Sequence, residues 1–314
     1  MSLSQAKQSA LVGILGAALC ATPALASEGP WTTLPGKHNI YTGLFYERFE
    51  CFTLEGGNDP SCGSGAAAIP DPVQRVGMKL FYRTGLTRTL DVAAAVPIIR
   101  AASSNTESDD LAPTTGIGLV QARIRWRMGA LGPIDIASGA ALETGALHRQ
   151  TRGRITNLGD GVTSAIGTLY AGTTRPLGAR FYTASTDLGY AFRIPELEAD
   201  IGRLPGDELR FSSVFLYALT SSIGIGASLD GQVRLWGEPL DFAELAAYSG
   251  TEDSIRWAVL DASQIKAGGR VALYPTGGRP YLQLSMHRAV WARNNPIDTT
   301  IFELAAGFDI DQRR

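Results

Sequence analysis

Phe302-Glu303-Leu304-Ala305-Ala306-Gly307-Phe308-Asp309-Ile310 places Phe302, Leu304, Ala306, Phe308 and Ile310 two apart, with Glu303, Ala305, Gly307 and Asp309 between them. Successive side chains of a β-strand point to opposite faces, so such a segment has one apolar face and one polar face. The same beat runs through Ile265, Ala267, Gly269, Val271 and Leu273, which alternate with Lys266, Gly268, Arg270 and Tyr274. A closed barrel in a membrane needs this arrangement, with lipid outside and water or ion pairs inside.

Working outward from these two segments, the alternation defines twelve candidate strands near residues 39–50, 76–86, 89–99, 116–128, 134–145, 161–174, 180–194, 208–219, 224–236, 264–275, 281–293 and 299–310. Most are about the ten residues that a tilted strand needs to cross a bilayer. Their connections alternate in length. Short ones follow the second, fourth, sixth, eighth and tenth strands, and long ones (51–75, 100–115, 146–160, 195–207 and 237–263) lie between those hairpins. The connection at 294–298 is the exception, short where a long one is expected. Short turns on one side and long loops on the other are the habit of outer-membrane barrels. The fold class expected is therefore all-β: a transmembrane antiparallel β-barrel of about twelve strands, in the cell outer membrane. A soluble sandwich is the competing fold, but sandwiches seldom exceed about 250 residues as one unit. Trp126, Tyr190, Phe192 and Phe308 fall near strand ends on the expected outer face, where girdle aromatics belong.

The first residues read as a secretory leader. Lys7 is followed by the apolar stretch 10–19 and by the small residues Ala24 and Ala26, with cleavage expected before Ser27. The expected organisation is a leader over 1–26 and one barrel over 27–314. Residues 27–37 read as a disordered tail, with the alternative, suggested by Pro30, Trp31 and Pro35, of an extended segment that serves as a plug. The chain carries 36 Gly and only 18% charged residues, against the usual shares of about 7% and about a quarter. A formal charge of −2 leaves no basic footprint for nucleic acid. With Cys20 in the leader, Cys51 and Cys62 remain, and in an oxidising compartment they can close one loop. Two cysteines without nearby His or Cys partners do not complete a metal site, so no metal and no cofactor is expected.

If the apolar face meets lipid, the opposite face lines a lumen. That assignment turns Arg123, Arg125 and Arg127 inward from the fourth strand, Asp230 and Arg234 from the ninth, Lys79 and Arg83 from the second, and Lys266 and Arg270 from the tenth. Asp91, Asp135, Glu143, Asp187 and Glu303 supply the opposite charge. An Arg or Lys facing lipid at mid-depth costs about 2–4 kcal/mol. Ten or so outward charges would exceed the total stability of an ordinary fold, about 5–15 kcal/mol. These side chains are read either as the lining of a selective pore or as an ion-pair lattice bracing a narrow barrel.

Within the second hairpin, Tyr82-Arg83-Thr84-Gly85-Leu86-Thr87-Arg88-Thr89-Leu90-Asp91 followed by Pro97 resembles the hairpin signature of the outer-membrane family named for the meta-pathway of phenol degradation. Gly116-Ile117-Gly118 before Arg125-Trp126-Arg127, Asn157-Leu158-Gly159-Asp160-Gly161, Leu188-Gly189-Tyr190-Ala191-Phe192-Arg193 and Pro205-Gly206-Asp207-Glu208 match in order. The resemblance implies an outer-membrane transporter barrel, and it brings no catalytic residues.

The expected function is passage of a small solute, apolar or aromatic, with outer-membrane lipid as the surrounding partner. A non-transporting structural or surface-interaction barrel is the second reading. A lipid hydrolase is the third, because Ser285 and His287 share one strand face. Side chains two apart on a strand sit too far apart for a Ser–His hydrogen bond of the kind catalysis needs, so no catalytic residue is expected.

Overall fold

A computed structural model describes residues 29–53, 66–103, 113–144, 162–195, 206–236, 263–273, 281–293 and 295–311. The leader, most of the long connections and Cys62 lie outside these residues. The strands are β1 (Lys37–Thr53), β2 (Ala66–Gly85), β3 (Leu90–Ser103), β4 (Thr114–Ile117), β5 (Val120–Leu131), β6 (Ile134–Thr144), β7 (Val162–Leu177), β8 (Arg180–Pro195), β9 (Glu208–Ala218), β10 (Ile223–Arg234), β11 (Ser263–Leu273), β12 (Tyr281–Arg293), β13 (Asn295–Pro296) and β14 (Thr300–Asp311). Each pairs antiparallel with its neighbour, and β1 pairs with both β2 and β14, which closes the sheet. The wall has twelve strand positions, because β4 and β5 share one and β13 is a short extension beside β1. It is an antiparallel barrel of the outer-membrane type.

Closure gives every wall strand a hydrogen-bonding partner on both sides. That is what allows a sheet to stand in hydrocarbon, where unpaired backbone groups find no water. The pleat then sorts the side chains. Leu229 is 41% exposed on the outer wall, and Ile124, Leu142, Leu169, Leu188, Leu284 and Leu304 form the same belt. Asp230, next to Leu229, is 2% exposed. Trp126, Tyr190, Phe192 and Phe308 all stand on the outer face.

Three local features depart from the even alternation. Gly118 and Leu119 interrupt the fourth wall strand. Ala95 pairs with Gln121 and Ile98 with Ile117, so the interrupted side carries one residue more than β3 does. Pro97 has no N–H to offer there, and its carbonyl accepts from Gly118 N at 2.9 Å. Second, β1 and β2 run further than the alternation suggests, pairing as far as Thr53 with Ala66, inside the expected connection 51–75. Third, the short connection at 294–298 is built onto that extension. Asn295 pairs with Thr53, Ile297 N donates to the Cys51 carbonyl at 3.0 Å, and the Asp298 carboxylate accepts from Glu50 N and Cys51 N. Ile297 is buried against Cys51 and Ala292. Cys51 is disulfide-bonded.

Ile124 faces outward between Arg123 and Arg125, which face inward. Ile124→Arg should therefore destabilise the folded barrel by about 2–4 kcal/mol, read as a shift in the denaturant midpoint for reversible folding into lipid vesicles. Arg added to an exposed turn residue such as Thr87 should leave the midpoint nearly unchanged.

Candidate functional site: a charged lumen with an occupied mouth

The expected inward residues fall into three groups along the barrel. The first sits at the end where the short turns lie. Asp91 follows the β2–β3 turn and is 1% exposed, and Arg125, two strand positions away from β2, is 0% exposed. Arg83 donates to Asp91 Oδ2 through Nε at 2.9 Å and Nη2 at 2.6 Å, and Arg125 Nη2 donates to the same oxygen at 3.0 Å. One carboxylate thus faces two guanidiniums. Arg127 pairs with Asp135 at 2.6 Å but is 42% exposed in its side chain. The guanidiniums of Arg125 and Arg123 also stand 5.6 Å and 5.9 Å from the ring centres of Tyr170 and Phe81.

Residues 29–36, read from the sequence as a tail, run into this mouth and are bound there. Arg125 Nη1 donates to the Gly29 carbonyl at 2.6 Å and Arg125 Nη2 to the Trp31 carbonyl at 2.6 Å, while Arg83 also donates to Trp31 O. Thr33 N donates to Asp91 Oδ2 at 2.8 Å, and the Trp31 indole donates to Asp135 Oδ2 at 3.1 Å. Pro35 bridges to Gly85. Beside Asp135, on the next strand, Gly172 makes room for Pro30 and Trp31, where a Cβ would sit 2.7 Å from the Pro30 ring. The same side chains that brace the wall hold the segment, through its backbone and the Trp31 indole.

The second group lies at the opposite end. Glu208 is surrounded by Arg210 at 2.9 Å, Arg234 at 3.1 Å and Arg193 at 3.5 Å, and Arg210 reaches Glu143 at 2.9 Å. Glu143 and Arg234 belong to the expected set, whereas Arg193, Glu208 and Arg210 do not. Their signal was present as Glu208, Arg210 and Ser212 alternating with Leu209, Phe211 and Ser213, in a strand short of strongly apolar partners. Asp187 is buried in the register beside Tyr170 and Ser212.

The third group is midway along the barrel. Strands are about 4.8 Å apart, so a side chain normally meets only the adjacent strand. Two residues here reach further because the strand between carries glycine. The His287 ring lies across Gly268, where a Cβ would sit 2.8 Å away, and brings Nδ1 to 3.2 Å from Asp230 Oδ2 on β10. That approach is close without being a hydrogen bond. Glu303 lies across Gly43, 2.8 Å from where a Cβ would be, toward Lys79 on β2. Arg270 is also within electrostatic reach of Glu303, and Lys266 of Glu47 and Asp230. Ser285 Oγ makes no hydrogen bond to His287.

The fold is a closed outer-membrane-type barrel whose inner wall is lined with charged side chains. No family model and no curated protein sequence matches the chain. Among solved structures, an outer membrane channel from Pseudomonas putida F1 is 15% identical, covers 89% of this chain and 98% of its own, and superposes with a TM-score of 0.60. The porin NanC is 8% identical over 86% of this chain and 98% of its own, with a TM-score of 0.45. The translocator domain of the autotransporter NalP from Neisseria meningitidis is 12% identical over 97% of each chain, with a TM-score of 0.42. The first of these shares the barrel fold.

Removing Asp91 leaves two buried guanidiniums without their carboxylate. Asp91→Ala should cost about 3–5 kcal/mol, measured by denaturant titration in vesicles, whereas Arg127→Ala, at a half-exposed pair, should cost less than about 1 kcal/mol.

Proposed function

We propose that this chain is an outer-membrane channel for a small solute, held at low conductance by residues 29–36 in its short-turn mouth. The observation that carries the reading is the inner wall. Charged and polar side chains run along it from the Arg83–Asp91–Arg125 group to the Glu208 group, and its one obstruction described at the short-turn end is a chain segment rather than a strand. Wall pairs span the whole length of the strands, but the segment is attached through hydrogen bonds at a few points and can be displaced without breaking the sheet. The sequence resemblance to the phenol-pathway transporter family points the same way.

Aromatic side chains on the inner wall support a flat, apolar or aromatic solute. Tyr281, Gly307, Tyr41 and Phe81 stand opposite one another across β12, β14, β1 and β2. Tyr41 and Phe81 stack at 4.6 Å. The second reading, a filled barrel that passes nothing, is favoured by the near-complete burial of Arg125 and Tyr170.

In planar bilayers the mature chain should show small, brief conductance steps, and deletion of 29–34 should raise the step size several-fold. Trp31→Ala, which frees Asp135 and Gly172, should raise it less. Absence of current from both the mature chain and the deletion variant would establish the filled barrel instead.

A further inference from the structure

We infer that the inner face of β12 is a solute-binding subsite for an uncharged hydrogen-bonding group, a hydroxyl or carbonyl carried on a flat apolar body. This rests on the channel reading and names the chemistry that the channel would recognise.

Four side chains carry the inference. Gln283, Ser285 and His287 follow one another on the inner face of β12, and Ser228 stands across Gly268 from His287. Gln283 and Ser285 are each 2% exposed and His287 is 1% exposed. Among the described residues, Ser228 Oγ, Gln283 Oε1, Ser285 Oγ and His287 Nε2 have no hydrogen-bond partner. Buried polar atoms are almost always bonded, so four unbonded ones on one wall patch need a physical cause.

Their chemistry states what would satisfy them. Two hydroxyls both donate and accept, an amide oxygen accepts, and a ring nitrogen takes whichever role its tautomer permits. None carries a fixed charge. The ions around them are engaged with one another: Glu303 faces Lys79 and Arg270, Arg75 reaches Glu47 at 3.4 Å, and Ser212 donates to Asp230. An ion entering here would have to compete with these pairs. A neutral hydroxyl or carbonyl would gain hydrogen bonds and disturb no pair.

The neighbouring rows supply the rest of the pocket. Ser285 stands beside Glu303, then Phe45 and Gly77. Gln283 stands beside Ala305 and Gly43, and the next row is Tyr281, Gly307, Tyr41 and Phe81. Ser285 stands between Arg270 and Glu303, whereas Gln283 is flanked by Ala272 and Ala305 and His287 faces Gly268; the small residues beside Gln283 and the rings one row away suit a planar body with one polar corner. In the resting structure these side chains are closed over. Turning the His287 ring off Gly268 opens the column by a side-chain rotation, with the strand hydrogen bonds intact.

The test is calorimetric binding to the full mature chain, folded in detergent and referenced to empty micelles, with benzyl alcohol, toluene and benzoate as probes. Benzyl alcohol should bind more tightly than toluene or benzoate. Its affinity should fall about tenfold in a Ser285→Ala, Gln283→Leu double variant, the size of losing one hydrogen bond. Toluene binding should be unaffected, and Ser285→Thr, which keeps a hydroxyl, should bind like the parent and so control for folding. Equal benzyl alcohol affinity in parent and double variant, or tighter binding of benzoate, would overturn the subsite. A parent that binds benzyl alcohol as described yet passes no current keeps the subsite and overturns the channel. A parent that conducts without binding sensitive to these substitutions does the reverse.

Discussion

Hydrocarbon solvates neither a charge nor an unpaired peptide group, and the rest of this structure depends on that constraint. The closed sheet answers the second demand, since β1 meets both β2 and β14 and the wall strands among the described residues are paired on both sides. The pleat answers the first by turning one side chain in two away from the membrane. Once turned inward, the charges share an enclosed interior, and where they are buried water competes weakly and attraction is strong. They are pressed into pairs and triads, and so one carboxylate, Glu208, ends among three guanidiniums and another, Asp91, between two.

Glycine extends the reach of those pairings. The excess of glycine is readable as an aid to curvature and turns, but inside the barrel it has a second use. Where the middle strand of three lacks a Cβ, a long side chain can lie flat over it and meet a residue two strands away. Gly268 permits the His287–Asp230 approach, and Gly43 permits Glu303 to face Lys79. Rings use the same device on adjacent strands, with Phe45 over Gly77 and Tyr281 over Gly307. These side chains lie along the wall, over the glycines, rather than projecting across the lumen.

Particular residues show where the alternation was sufficient and where it failed. The wall strands near 134–145, 180–194 and 281–293 coincide with β6, β8 and β12 to within a residue, because clear turn residues bound them, even though β12 carries a bulge at Val290. The break at Gly118 is not legible in the alternation, since Pro97, whose carbonyl accepts from Gly118 N, lies on a different strand. The extension of β1 to Thr53 escaped too, because its support comes from Asn295 and Asp298, far along the chain. Residues 29–36 read as a tail because nothing local orders them. Their partners, Arg83, Asp91, Arg125 and Asp135, come from four separate strands.

Sidedness was determined by the amino-acid sequence alone. The pleat has a period of two whatever the partners are, so a run such as Arg123-Ile124-Arg125-Trp126-Arg127 declares its two faces without reference to any other segment. Which inward residues meet was decided only by the tertiary structure. Register between strands, closure of the sheet and the placing of glycines beneath long side chains join residues that are remote in the chain. The alternation places Arg125 inside; only the folded barrel brings it to Asp91 and to the carbonyls of Gly29 and Trp31.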